Sequence, residues 1–450
     1  MSRRDMWSQV VERFDVYEYV TSAHWRAERP QSPAHRIHQI LSTPFASDAR
    51  FLVAGTIGTG KTTELLRVAE LRQDREFVVF LDLARQFDRL GRIEGLEQVN
   101  QWEVCFLVGL AVYHTAHSRL DLEFPPGVED DLRAAWTALA HASGTTTTTT
   151  QIDIGKLAKA IVAAGAAIAG GPTGAVLGAG LGAAADAVRA MWNVPVGAAK
   201  RRLPDDDEQV KTMLTAVNRV IGEVQHRHQP VLLVIDGLDR IRDVSRAREL
   251  FVESDTLGRL ACRVVLSGPF ALRHHPAAVL VPRFQVLRLF NEPVLDRREP
   301  SKPGPGLAFF IELFRRRIED LRAADLIPMP LLERLAFYCG GRARDFVKLI
   351  RLVAQEAWIA DVDTATGDIV EFAINEERAL LEHGMHRGYS NVLEAVMDDP
   401  DHQLPHCGLE VLELLTQSRL LPYPAPDHSE WFYPHPLLMR YLHRNTGSTG

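Results

Sequence analysis

Residues 55–62, with the sequence GTIGTGKT, constrain the fold of this chain more than any other segment. They fit the pattern GxxxxGK[ST], in which glycines let backbone N–H groups turn inward around phosphates and the following helix presents its positive N-terminal end. The lysine of this pattern reaches the β and γ phosphates of a nucleotide, and the next hydroxyl binds Mg²⁺. A buried-strand pattern at 50–54 precedes the segment, and a helical pattern at 61–71 follows it. We therefore predict that ATP and Mg²⁺ bind at a loop made of Gly55, Thr56, Ile57, Gly58, Thr59, Gly60, Lys61, Thr62 and Thr63, with Thr62 on the metal.

A second motif ends the apolar run Val231 to Ile235 with a carboxylate, Asp236. In nucleotide-binding α/β folds, a hydrophobic strand that delivers one aspartate to its C-terminal edge holds the water shell of Mg²⁺. We therefore place Asp236 on the metal side. Asp239 follows three residues later, where it either orients the attacking water or caps the N-terminus of a helix. A glutamate is the more usual base, so the sequence leaves the rate of hydrolysis open.

The chain of 450 residues is too long for one ordinary core, and its patterns divide it into four parts. Short continuous apolar runs favour a parallel sheet that is covered on both faces. A Pro/Gly-rich break at 299–306 ends this α/β part, and helical patterns follow it. The predicted domains are residues 1–45, an N-terminal helical segment; 46–298, the α/β core with a Thr-rich linker and an Ala/Gly-rich insert at about 145–204; 299–389, a helical lid; and 390–450, a small closing unit.

The charge and the cysteines restrict the partners and the compartment. A formal net charge of −7 argues against a protein that coats nucleic acid by charge alone. The cysteines lie far apart and form no CxxC pair, which makes a disulfide framework or a zinc cluster improbable and fits a reducing compartment. The first residues lack the apolar core of a signal peptide. We therefore predict a cytoplasmic protein. The cysteines are Cys105, Cys262, Cys339 and Cys407.

Together, the two nucleotide motifs resemble those of the additional-strand class of P-loop ATPases. Within that class the chain resembles both the STAND signalling ATPases and the origin-recognition-type AAA+ ATPases. The run Asp-Gly-Leu-Asp at 236–239 is similar to the STAND form, although STAND proteins often carry glutamate where this chain has Arg240. The resemblance covers roughly 45–85 and 228–355. It implies an α/β fold of the P-loop NTPase type, with a parallel sheet and a helical lid.

Two further segments resemble the sensors of these ATPases. The run 264–268 looks like the sensor-one strand, which implies that Ser267 is the polar residue near the γ-phosphate. Segment 338–346 resembles the lid helix of origin-type ATPases, in which a sensor-two arginine reaches the γ-phosphate. Arg344 matches that position best, and Arg342 is the second candidate. The alternative is that the segment is only the start of a surface helix and that neither arginine is a sensor. The predicted catalytic residues are Asp239, Ser267 and Arg344.

The insert between the two nucleotide motifs resembles, in its place and apolar character, the inserts of the KAP ATPases. Gly170, Gly174, Gly178 and Gly182 recur at every fourth place and form one smooth ridge on a helix. The chain must return to the side it left, and each arm of about 12 residues is too short to cross a bilayer. The two interpretations are a hairpin that touches the membrane or self-associates, and a flexible or locally packed soluble insert. The second is the leading one.

The closing unit resembles the small winged-helix domain that follows the lid in origin-type and STAND ATPases. Such domains bind DNA in some members and pack on the ATPase core in others. DNA recognition needs positive charge on the recognition element. Residues 390–450 hold three arginines against eight carboxylates, so DNA binding by this unit is not expected.

These observations favour a nucleotide-controlled signalling or defence switch, in which ATP ties core, lid and winged helix together until hydrolysis or exchange releases them. The first alternative is an AAA+-like remodelling enzyme with continuous turnover in a ring, for which Arg240 and Arg242 are candidate arginine fingers. The second is a membrane-docked scaffold that uses ATP only for structure. A homo-oligomer and an unidentified protein partner are expected in the first two cases, and peripheral membrane contact through the Ala/Gly-rich insert in the third.

Overall fold

The computed structural model describes residues 2–16, 23–89, 93–144, 196–197, 199–269, 281, 283–321, 323–427 and 429–446. The chain divides into two compact units. One consists of Pro33–Ala54 and Glu64–Arg288, and we call it the sheet unit. The other consists of Met1–Ser32, Gly55–Thr63 and Leu289–Gly450, and we call it the lid unit. Residues Gly55–Thr63, which we call the phosphate loop, thus belong to the same unit as the lid and the C-terminal residues.

Five strands form the sheet in the described part of the chain, in the order β2-β3-β4-β1-β5. The pairs β1–β5, β2–β3 and β3–β4 are parallel. Strand β4 lies between β1, which leads into the phosphate loop, and β3, which ends at Asp236. This order confirms the predicted additional-strand type of P-loop NTPase sheet. The strands are β1 Arg50–Gly55, β2 Phe77–Asp82, β3 Val231–Asp236, β4 Arg263–Pro269 and β5 Gln285–Arg288.

The helices of the sheet unit cover a large apolar core. Every residue of β3 is buried, as its uninterrupted apolar run predicts. Helices α6, α7 and α8 pack closely at Gly109, where a Cβ would come within 3.0 Å of Val217 and 3.2 Å of Leu132. The helices are α2 Pro33–Leu41, α3 Lys61–Arg72, α4 Leu83–Arg89, α5 Ile93–Leu96, α6 Gln101–Leu120, α7 Val128–Ala142, α8 Glu208–Arg227 and α9 Val244–Arg248.

Glu103 anchors the point at which the chain returns from the insert. Its carboxylate accepts hydrogen bonds from the backbone N–H groups of Asn100 at 2.7 Å and Gly197 at 2.8 Å. Burial raises the pKa of Glu103 to about 7, although these donors act in the opposite direction. The start of α6 and the chain after the insert are therefore fastened by a carboxylate that titrates near neutral pH.

Raising the pH from 5 to 8 should lower the free energy of unfolding of the wild type. In Glu103→Gln, which cannot titrate at this position, the decrease should be smaller by about 2 kcal/mol. An acid whose pKa is raised in the folded state stabilises the fold when protonated and loses that stabilisation as the pH rises through the folded-state value. Urea titrations at pH 5, 6.5 and 8 measure the difference. Parallel pH profiles for the two proteins would contradict the assignment.

The N-terminal residues pack on the helical part of the lid unit. Helix α1 lies against α12, and the indole N–H of Trp7 donates to the carbonyl of Val362 at 2.9 Å. The Arg13 guanidinium donates to the carbonyl of Arg317 at 2.8 Å. The helices are α1 Arg3–Arg13, α10 Leu307–Ile318, α11 Met329–Tyr338, α12 Ala343–Ile359 and α13 Gly367–Glu382.

The C-terminal part of the lid unit has the winged-helix-like order that the sequence predicts. Two helices precede an antiparallel hairpin, and a last helix follows it. The rings of Tyr423 and Trp431 stack across the hairpin with centroids 4.8 Å apart. The elements are α14 Arg387–Asp398, α15 Leu409–Thr416, β6 Leu420–Pro424, β7 Glu430–Pro434 and α16 Met439–Thr446.

The Thr-rich linker and the Ala/Gly-rich stretch at 157–192 lie outside the described residues, so both interpretations of the insert stay predictions. Among the helices that the structure describes, none combines the length and the apolar character that crossing a membrane requires. The four domain boundaries also stay predictions.

Candidate nucleotide site

The phosphate loop has backbone conformations that require glycine at two positions. Gly58 has φ +94° and Gly60 has φ +102°, in the left-handed region that side chains disfavour. Helix α3 begins at Lys61 directly after the loop. The Lys61 ammonium is 4% exposed and donates to the carbonyls of Gly55 at 2.6 Å and Thr56 at 2.8 Å. The loop is therefore closed around its own lysine, directly before a helix as predicted, and the contact of Lys61 with phosphates stays a prediction.

Three consecutive loop carbonyls accept hydrogen bonds from outside the loop. The Ile57 carbonyl accepts from Arg342 Nε at 3.0 Å and Nη2 at 2.6 Å. The Gly58 carbonyl accepts from the backbone N–H of Arg344 at 3.0 Å. The Thr59 carbonyl accepts from Arg29 Nη2. Both arginines that the sequence singles out for the lid thus lie at the loop, and an N-terminal arginine that sequence reasoning missed joins them.

The Arg342 side chain is held by a buried carboxylate, Asp345, with which it forms a salt bridge. His435 Nε2 lies 3.3 Å from the same carboxylate. Burial alone would raise the pKa of Asp345, but the charge of Arg342 and the contact with His435 outweigh it and lower the pKa to about 2. Burial also lowers the pKa of His435, against the opposing effect of Asp345. The Arg342 guanidinium and the Asp345 carboxylate thus form a buried ion pair beside His435.

Asn291 connects the phosphate loop to the C-terminal hairpin. Its side-chain oxygen accepts from the Thr56 hydroxyl at 3.1 Å, and its Nδ2 donates to the carbonyl of Pro422 at 3.1 Å. Asn291 is 1% exposed, so both bonds lie away from water. The hairpin also reaches the start of α12, because the Tyr423 hydroxyl donates to the carbonyl of Gly340 at 3.0 Å. The loop, the lid helix and the hairpin thus share one buried polar network.

In the sheet unit, the ends of β3 and β4 bring Ser267 and Asp239 together. The Ser267 hydroxyl accepts from the Gly237 N–H at 2.9 Å and donates to Asp239 Oδ1 at 3.3 Å. Gly237, rather than Asp239, occupies the N-cap of the short 3₁₀ segment Leu238–Arg240. The structure therefore places Asp239 as the partner of Ser267 and not as a helix cap.

A second buried carboxylate accompanies Asp236. Asp82 ends β2 in register with Asp236 at the end of β3. Both side chains are buried, and Asp82 Oδ1 accepts from the Arg85 N–H at 2.9 Å. Burial, followed by the charge of Asp236, raises the pKa of Asp82 to about 7. Sequence reasoning missed Asp82, although the strand Phe77–Asp82 ends in aspartate just as β3 does, which is the signal that identifies it.

The oxygen donors that the sequence predicts for the metal suit Mg²⁺, which prefers oxygen ligands and usually keeps several waters besides one or two carboxylates and substrate phosphates. Thr62 supplies a hydroxyl at the second position of α3, and Asp236 supplies a carboxylate at the end of a buried strand. No group of three or more His, Cys, Asp or Glu side chains within the described ranges could hold a metal ion. Thr62 and Asp236 are thus oxygen donors of the kind that Mg²⁺ prefers, and their role at a metal stays a prediction.

No protein-family model matches the chain, and no curated protein matches it in sequence. Solved structures similar to it include CDC6P from Pyrobaculum aerophilum, at 13% identity and TM-score 0.36, over 97% of this chain and 98% of that one. The ADP form of ORC2 from Aeropyrum pernix is similar at 12% identity and TM-score 0.41, over 97% and 96%. Drosophila ORC bound to DNA is similar at 12% identity and TM-score 0.39, over 98% and 92%. Similarities this weak support no shared activity, ligand or partner.

Proposed function

We propose that the chain binds ATP with Mg²⁺ through loop 55–63, hydrolyses it, and acts as a nucleotide-controlled signalling or defence switch. The observation that supports this best is the buried network of the lid unit. The loop carbonyl of Ile57 accepts a hydrogen bond from Arg342 of the lid. Asn291 forms hydrogen bonds to both Thr56 of the loop and Pro422 of the C-terminal hairpin. A change in the loop on nucleotide exchange would alter these bonds directly, because they involve the loop's own atoms. Such a link between loop, lid and hairpin is what a two-state switch needs.

The roles follow from the chemistry of each residue. Lys61 provides positive charge for the β and γ phosphates, and the backbone N–H groups of the loop bind the same oxygens. Thr62 and Asp236 would hold Mg²⁺, which when bound would neutralise the charge that develops on the phosphates. Asp239 orients the attacking water, and Ser267 fixes the carboxylate through its hydroxyl. Arg344 is the residue proposed to detect the γ-phosphate.

The deciding experiment measures the nucleotide content and ATP turnover of the purified full chain beside Lys61→Ala and Asp239→Asn. Loss of the lysine removes charge-assisted hydrogen bonds, each contributing about 1.5–3 kcal/mol, so we expect ATP affinity to fall about 10- to 100-fold. Lys211→Ala, which removes an exposed lysine from α8, is the matched control and should leave affinity unchanged.

The outcomes separate the proposals. Bound nucleotide with very slow turnover supports the switch and gives Asp239 a structural role. Turnover that rises with protein concentration and is abolished by both changes supports an oligomeric remodelling enzyme instead. Flotation with lipid that depends on 157–192 supports the membrane-docked scaffold. A wild-type protein that neither binds nor hydrolyses ATP would overturn the proposed function.

A further inference from the structure

Arg29 is a buried arginine whose hydrogen bonds are directed at backbone carbonyls and one carboxylate. It is 9% exposed, and its Nη2 donates to the carbonyl of Thr59 in the phosphate loop. Its Nη1 donates to the carbonyl of Phe290 at 3.3 Å and lies 3.1 Å from the carboxylate of Glu292. The guanidinium carbon lies 4.8 Å from the ring centroid of Phe309. The charge of Arg29 is thus already neutralised within the lid unit, which distinguishes it from an arginine that binds phosphate.

The carbonyl that Arg29 binds is the last of the three loop carbonyls held from outside the loop. A trans peptide is planar, and its C=O and N–H point in opposite directions. The carbonyl of Ile57 shares a peptide with the N–H of Gly58, and the carbonyl of Thr59 shares one with the N–H of Gly60. Donors outside the loop that bind these two carbonyls therefore direct the two N–H groups toward the inside of the loop. These are the groups that a phosphate-binding loop presents to its ligand. Arg342 performs this task at Ile57 and Arg29 performs it at Thr59.

The two arginines are also connected with each other. The N–H of Glu292, the residue paired with Arg29, donates to the carbonyl of Gly341 at 3.0 Å, one residue before Arg342. Gly341 has φ +79°, and a Cβ there would come within 2.0 Å of the Glu292 carbonyl oxygen, so the two segments approach as closely as glycine allows. The segments of Glu292 and Gly341 thus connect the two arginines that bind the loop.

We propose that Arg29 is a positioning residue for nucleotide binding, which acts with Arg342 by holding the phosphate loop in its binding conformation and not by touching the phosphates. The nucleotide part rests on the proposed function, whereas the effect on the loop does not. Arg29 positions the part of the loop between Thr59 and Lys61, which both di- and triphosphates use. Its loss therefore weakens ADP and ATP equally, whereas loss of a γ-phosphate sensor weakens ATP more.

The test uses the full chain carrying Arg29→Ala, with titrations of fluorescent ADP and of a non-hydrolysable ATP analogue. We expect both affinities to fall about tenfold, with their ratio unchanged. Hydrogen–deuterium exchange of the nucleotide-free protein provides a second readout, and residues 55–63 should exchange faster than in the wild type. Arg29→Lys, which keeps the charge beside Glu292 but loses the planar fork, should give an intermediate effect in both experiments.

Arg13→Ala is the matched control, because Arg13 lies in the same N-terminal segment and bonds to Arg317 and Asp320 but not to the loop. It should lower the melting temperature without changing nucleotide affinity or loop exchange. If Arg29→Ala behaves in the same way, the positioning role is wrong. Weakened ATP binding with unchanged ADP binding would make Arg29 a phosphate ligand and would also overturn the proposal. Should Arg29→Ala not fold, Arg29→Lys and Glu292→Gln provide the same comparison.

If the wild-type protein binds neither nucleotide, the proposed function fails. The exchange experiment then still decides whether Arg29 holds the loop.

Discussion

Replacing Asp345 with alanine should lower the free energy of unfolding by about 3–5 kcal/mol, because it leaves the buried guanidinium of Arg342 without its counter-charge. The hydrogen-bond acceptor that remains for Arg342 is the carbonyl of Ile57, which is uncharged. The carboxylate is also the group that His435 faces, so its loss removes a second contact. Urea denaturation of the full chain measures the change. Asp345→Asn, which keeps the shape and loses the charge, should lie between the wild type and the alanine variant.

The control for this prediction is Asp320→Ala. Asp320 also pairs with an arginine, Arg13, but the aspartate side chain is mostly exposed. Exposed ion pairs contribute about 0–1 kcal/mol, so the control should lose no more than that. Equal losses in the Asp320 and Asp345 variants would contradict the view that burial makes the Arg342–Asp345 pair important.

The stability conferred by Asp345 should also depend on pH in a defined direction. The pKa of this carboxyl is lowered to about 2 in the folded chain, from an ordinary value near 3.8. A depressed pKa means that the stabilisation is present above about pH 4 and is lost as the pH falls through 2. The stability gap between the wild type and Asp345→Asn should therefore shrink below pH 4.

Asn291→Asp should cost about 2–4 kcal/mol, more than Asn291→Ala, which should cost about 1–2 kcal/mol. Both changes remove the hydrogen bond to the Pro422 carbonyl, but aspartate also places a carboxylate against that carbonyl in a buried site. Thr56 keeps its acceptor in the aspartate variant, which isolates the contact with the hairpin. Thermal unfolding gives the order of stabilities. Hydrogen exchange should show faster exchange of residues 420–434 in both variants.

Asn375→Asp provides the comparison, because Asn375 lies on an exposed face of α13. Such a surface change is usually within about 0.5 kcal/mol. If Asn291→Asp is as stable as the wild type, Asn291 does not join the phosphate loop to the hairpin. The part of the support for a switch that rests on the hairpin would then be lost, whereas the hydrogen bonds between the loop and Arg342 would remain.

Local sequence patterns were sufficient for the sheet and for the loop. Uninterrupted apolar runs predict buried parallel strands because both faces of such a strand are covered, and the runs at 50–54 and 231–235 both form strands of the sheet. The loop was also predicted from the sequence, because its pattern places glycine at Gly58 and Gly60. Both residues have left-handed conformations, which glycine adopts at little cost. The C-terminal hairpin is less evident from local patterns, because its first strand, Leu420–Pro424, contains two prolines, which are unusual within strands.

The sequence by itself therefore determined the α/β fold class and the glycine-rich loop, because these depend on residue types at fixed local spacings. The strand order followed only from the resemblance to a known class of ATPases. Only the tertiary structure decided the roles of Arg29, Asn291, Asp345 and His435. Arg29 and Phe290, or Thr56 and Asn291, are separated by more than 200 residues, and no local period connects them. An arginine or asparagine has no fixed role in a sequence, since its contribution depends on burial and on the partner that the fold brings to it.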